Sequence, residues 1–216
     1  MISELNKLRV LCKKSECNFL YVLARSLFYR LLGLRNLFSA NKVYIKGRDN
    51  FILDDGLLFL GLRNVGHVSN KTPSYFNVRG KLTCRGSLSF GRGCRVDINK
   101  DATFICQGGY IGPDNTFIIY NGIYIGKGCN ISWGCQFLDD DFHQLTYENK
   151  KERSKKINIG DYVWIGCNVS VLKGTNIASG CVVAANSVVS GDFLEENCLI
   201  AGNPAKVVKR NISWEL

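Results

Sequence analysis

Residues 159–190 read IGDYVWIGCNVSVLKGTNIASGCVVAANSVVS, and their spacing decides the architecture. Aliphatic side chains stand at Ile159, Ile165, Val171, Ile177, Val183 and Val189, every sixth residue without a slip. Four residues after each of the first five comes Val163, Val169, Thr175, Cys181 or Ser187, all small or β-branched. Gly160, Gly166, Ala178 and Ala184 directly follow aliphatic positions. A period of six is one short strand plus one corner, and three such units close a triangular coil. The aliphatic side chain points inward and stacks on its equivalents in the coils above and below. The position four residues on also faces in, near the corner, where only a compact group fits. Gly, Asn or Asp lets the backbone turn sharply there. A single unit cannot bury its apolar side chain, but a stack can. The expected fold is therefore mainly β, a parallel β-helix.

The period continues upstream in a fainter form. Ile125, Ile131 and Phe137 keep it, with Cys129 and Cys135 at the compact positions, and Phe90 and Val96 keep it with Cys94. Ile105, Ile111 and Phe117 form a further register that slips by two to Ile119. Four of the ten cysteines, Cys94, Cys129, Cys135 and Cys181, thus fall where the repeat wants a compact apolar group. Between Phe137 and Ile159 the period fails, and residues 138–158 read as a polar loop thrown out of one coil. Long loops on a rigid scaffold are where function concentrates.

The pattern changes near residue 40. We expect an N-terminal basic helical segment over 1–40, a β-helix over 41–210 with its loop at 138–158, and a C-terminal tail at 211–216. The N-terminal segment lacks Pro and carries seven Lys/Arg against Glu4 and Glu16, a net +5, half of the +10 of the 216-residue chain. A basic, leucine-rich, aromatic helix suits peripheral contact of residues 1–38 with an anionic membrane. The alternative is packing of its apolar side against the rest of the protein or a second subunit. A spanning helix is excluded at FLYVLARSLFYRLLGLRNLF, residues 19–38, by Arg25, Arg30 and Arg35, each costing about 2.5–3.5 kcal/mol at bilayer depth. The N-terminus has no signal-peptide shape, and the ten cysteines include no CxxC pair, so a reducing cytoplasmic setting with free thiols is expected, possible contact with the inner membrane face included.

The stretch 159–190, followed by AGNPAKVVK at 201–209, resembles the hexapeptide-repeat acyltransferases, closest to the maltose/galactoside and surface-polysaccharide O-acetyltransferases. The DDDFH segment, Asp139 to His143, resembles the catalytic-histidine loop of that group. The resemblance implies a left-handed coil, a homotrimer, and acetyl-CoA held in a groove between neighbouring β-helices. It implies His143 as the general base on a carbohydrate acceptor, since imidazole accepts a proton near neutrality. Asp141 or Asp139 would orient the ring, as carboxylates do at other histidine sites. The N–H of Cys167 would receive the oxyanion. Trp164, Ala185 and Ser190 match positions beside the pantetheine arm, and Lys206 and Lys209 match basic positions near the CoA 3′-phosphate. Where many members carry a helper Asn, this chain has Ile118, with Asn115 and Asn121 nearby.

The alternatives are an amino-sugar N-acetyltransferase with the same donor, and a non-catalytic β-helical scaffold. A β-helical carbonic anhydrase needs three histidines on zinc, and the chain has two, His67 and His143, so no metal site is expected. No nucleic-acid module signature is present. His67 is expected to be structural or exposed. The basic run Lys150, Lys151, Arg153, Lys155 and Lys156, against Glu148 and Glu152, is expected to be a solvated stretch of the loop.

Overall fold

A computed structural model of the chain describes residues 2–62, 68–144, 146, 148 and 155–215. His67, Lys150, Lys151, Glu152 and Arg153 lie outside the described residues. Short strands wind round a triangular prism of three parallel faces. The first face runs from Leu37–Ser39 to Leu199–Gly202 and ends on the antiparallel strand Ala205–Lys209. The second runs from Val43–Lys46 to Val188–Val189, and the third from Phe51–Leu53 to Asp192–Phe193. Successive strands on a face are three apart in the chain, so each turn contributes one strand to every face.

The register explains the regular period. Asn158 pairs with Asn176, Trp164 with Val182 and Ser170 with Val188, three hexads apart in each case. All six aliphatic positions from Ile159 to Val189 are buried, as are Val163, Val169, Thr175, Cys181 and Ser187. The upstream coils are longer. Phe117 pairs with Val96 and with Phe137, separations of more than eighteen residues, so the hexad loses phase. One expectation fails here. Ile105 faces outward, because the strand Thr103–Cys106 turns Phe104 and Cys106 inward by its two-residue alternation. Phenylalanines fill the wider upstream coils: Phe76, Phe90, Phe104, Phe117 and Phe137 are buried, with Phe117 and Phe137 stacked at 4.3 Å.

Every cysteine is free, and Cys94, Cys129, Cys135 and Cys181 are buried in the prism. Burial pushes the Cys94 and Cys135 thiols up to about 12 and Cys129 to about 11, so they remain protonated and apolar near neutrality.

The N-terminal segment is two helices. α1 (Ile2–Lys14) and α2 (Phe19–Leu31) are separated at Asn18, whose side chain caps α2 by accepting from the Tyr21 N–H at 3.0 Å. Leu8, Cys12, Val22, Tyr29 and Leu34 join one continuous core with Leu37 and the prism. The first strand begins at Leu37, before residue 41, so helices and β-helix share a core. Among the described residues, no helix is long and apolar enough to cross a membrane.

Candidate active site

His143 leaves the prism where the second face gives way to the third. The strand Gln136–Leu138 ends at Asp139, and the chain returns at Lys155, whose N–H donates to the Asp139 carbonyl at 3.0 Å. Asp139 is fully buried. Its carboxylate accepts from the N–H groups of Tyr120 (2.7 Å), Asn121 (2.8 Å) and Gly122 (2.6 Å), which form the corner of the preceding coil. Burial pushes this carboxyl above the ordinary range, and the three donors pull it back.

The next residues fix the loop's first turn. The Asp140 carboxylate accepts from the Phe142 N–H. Phe142 adopts a left-handed backbone, φ +61°, and sets its ring edge-on to Tyr120 at 5.4 Å. A phenylalanine takes φ above zero at a cost, which the Asp140 hydrogen bond and the Tyr120 contact offset. Asp141 forms an ion pair with Lys173, the corner residue of the following coil. Asp139 and Asp141 are therefore engaged by groups other than the imidazole. Through these contacts they hold the base of the loop to the coils on either side. His143, next in the chain, is exposed and makes no hydrogen bond to a described residue.

All but one of the other predicted site residues lie elsewhere on the prism. Trp164 stands exposed on the first face, its indole N–H donating to the Ser132 hydroxyl at 3.3 Å. It lines a cavity of about 260 Å³ with Tyr110, Trp133 and Trp214. Cys167 and Ala185 are stacked at the corner between the first and second faces, linked by the Asn186 N–H on the Cys167 carbonyl at 2.9 Å. This corner repeats a left-handed residue in successive coils: Gly134, Asn168 and Asn186. The Cys167 N–H has no hydrogen-bond partner among the described residues, so this corner offers an unused donor.

Ser190 is exposed on the corner that carries the histidine loop, two coils further on. Lys206 and Lys209 are exposed on the antiparallel strand at the end of the first face. That strand follows the turn at Pro204, where the last coil ends. Asn115 is buried and structural: it donates to the carbonyls of Gly112 and Ser132 and accepts from the Cys135 N–H. Among the described residues, no group of three His, Cys, Asp or Glu side chains could hold a metal ion.

One chain thus keeps its histidine corner apart from the face that bears Trp164 and from the corner that bears Cys167 and Ala185. Similarity to known proteins sharpens the picture. Residues 156–191 match the family model described as bacterial transferase hexapeptide (six repeats). A putative lipopolysaccharide biosynthesis O-acetyl transferase, WbbJ of Escherichia coli K12, is 54% identical over 151 residues, covering 64% of this chain and 76% of that protein. The chain belongs to the hexapeptide-repeat acyltransferase family. An uncharacterized 24.8 kDa protein in the cps region of Klebsiella pneumoniae is 46% identical over 216 residues, 100% of this acyltransferase and 97% of that chain. The crystallographic structure of the polysialic acid O-acetyltransferase OatWY shares the fold at TM-score 0.55 and 24% identity, over 83% of this chain and 90% of that one. The coil of this acyltransferase is accordingly the left-handed parallel β-helix.

Several residues of the site escaped sequence reasoning. Lys173 sits in an ordinary hexad, and only the pairing of Leu138 with Leu172 on the second face brings it to Asp141 at the same corner one coil on. Tyr120 and Phe142 meet across 22 residues of chain. Trp214 lies in the tail, where no period exists to place it. It packs 6.1 Å from Trp164 and donates to the Tyr162 carbonyl at 2.8 Å.

Proposed function

We propose that this acyltransferase is an acetyl-CoA-dependent O-acetyltransferase that modifies a sugar hydroxyl of a bacterial-type surface polysaccharide or its precursor, with His143 as general base. The observation that carries the reading is the exposed imidazole on the loop of 138–158, next to a first turn held by Asp139, Asp140 and Phe142. A base works only if it is held where the acceptor arrives, and an anchored first turn supports that reading. Imidazole Nε2 or Nδ1 takes the hydroxyl proton as the acceptor oxygen bonds to the thioester carbonyl carbon. The Cys167 N–H stabilises the negative carbonyl oxygen. The C–S bond then breaks, and the imidazolium returns its proton to the leaving sulfur. The products are an O-acetyl sugar and free CoA, with His143 neutral again.

The separation of His143 from Trp164, Cys167 and Ala185 within one chain leads us to a homotrimer. A loop from one subunit then reaches the face of its neighbour, and three equivalent sites form by cyclic symmetry. Exposed Lys206 and Lys209 supply cations for the CoA phosphates. The thiol-rich, disulfide-free chain suits the cytoplasm.

The test is transfer of radiolabelled acetyl from acetyl-CoA to surface-polysaccharide oligosaccharides. We expect labelled product from which neutral hydroxylamine strips the label, because it cleaves esters and leaves amides. Label that resists hydroxylamine makes the enzyme an N-acetyltransferase and refutes the ester reading.

A further inference from the structure

α2 is apolar on two opposite sides. Val22, Ser26 and Tyr29 face the core. On the far side Leu20, Leu27 and Leu31 fall on one line with Ala24, at helical steps of four, three and four. Leu20 is 71% exposed, Leu27 54%, Phe28 53% and Leu31 87%. Among the described residues, six of the 17 exposed large hydrophobic side chains crowd into residues 20–32; outside this segment the rest are scattered along the chain. The end caps of stacked-repeat proteins ordinarily turn a polar side to water. This cap turns leucines to it, and an apolar stripe of that kind marks a contact surface.

The charges around the stripe choose the partner. α2 contains no acidic residue. Arg25 and Arg30 lie on its two edges, and exposed Arg35 follows its end. Arg25 is held by the hydroxyls of Tyr21 and Tyr29 and by the Val43 carbonyl at 2.9 Å, which fixes that edge. Exposed Lys13 and Lys14 close α1 just before it. A second copy of the stripe would bring like charges together with no carboxylate between them. An anionic bilayer offers an acyl interior for the leucines and phosphates for the rim. With 13 residues, α2 is about 20 Å long and cannot cross a core of about 30 Å. It can lie in the interface.

We propose that the outward face of α2 docks the enzyme flat on an anionic phospholipid surface, with Leu20, Leu27, Phe28 and Leu31 in the acyl boundary and Arg30 and Arg35 on the phosphates. The proposal stands on α2 and the basic residues flanking it, and holds whatever residue serves as base.

The full chain is sedimented with vesicles of phosphatidylcholine containing phosphatidylglycerol, and with phosphatidylcholine alone. The wild type is expected to bind the anionic vesicles and to leave the neutral ones. Leu27→Glu with Leu31→Glu should lower that binding at least about tenfold, and Arg30→Gln with Arg35→Gln severalfold, with melting temperatures unchanged. Leu27→Gln with Leu31→Gln serves the same comparison if the glutamates prevent folding. Equal binding by the leucine variants overturns the proposal. So does a wild type that ignores both vesicles while the leucine variants become smaller in sedimentation velocity, which assigns the stripe to a second copy.

Discussion

His143→Ala is expected to lower kcat/KM for acetyl transfer by about 10²- to 10⁴-fold, the ordinary worth of a placed general base. Its melting temperature and CoA affinity should match the wild type. The imidazole is exposed and makes no hydrogen bond to a described residue, so its removal leaves no buried group unpaired. In the proposed site CoA binds at Trp164, Cys167 and Ala185, a different part of the prism, which the substitution does not touch. The check is steady-state kinetics with calorimetric CoA titration. A variant that keeps wild-type kcat/KM removes the base from the mechanism. A variant that loses activity together with its melting transition shows a structural role instead.

Asp139→Ala should produce the largest loss of stability of any single substitution in the loop. Three N–H groups at the corner of residues 120–122 would lose their acceptor, that of Gly122 in a buried place and those of Tyr120 and Asn121 in partly buried ones. An unpaired buried donor costs about 1–3 kcal/mol and a partly buried one less, so a loss of about 3 kcal/mol is expected. At roughly 2–4 °C per kcal/mol for a chain of this size, the melting temperature should fall by about 6–12 °C. Asp139→Asn keeps one acceptor oxygen and should lose less. Activity should fall in both variants along with stability, because the corner carries the loop. If Asp139→Ala melts like the wild type but is inactive, the carboxylate acts on the reaction and not on the corner.

The C-terminal coils were legible residue by residue, because a strict period of six from Ile159 to Val189 is the packing itself written along the chain. Upstream, coils of unequal length blurred the same packing. Ile105 misled because an aliphatic residue in a four-residue strand can face either way, and Phe104 and Cys106 took the interior. The break in period located the loop and His143. It could not assign partners to the aspartates, since hydrogen bonds from Tyr120 and Gly122 or an ion pair with Lys173 depend on which corners stack. The basic N-terminus suggested an anionic partner, but the face proposed for it could be named only once α2 had buried Val22, Ser26 and Tyr29 and left Leu20, Leu27 and Leu31 outside.

The central claim is that a histidine from one chain completes a donor site on another. It is tested most directly by co-expressing two inactive chains under different tags, His143→Ala and Ala185→Trp, the second chosen to fill the groove at the Cys167 corner. Mixed trimers purified through both tags should recover about one third of wild-type activity, because cyclic geometry leaves one of three interfaces with an intact histidine facing an intact groove. Mixed assemblies as inactive as either parent would contradict the shared site.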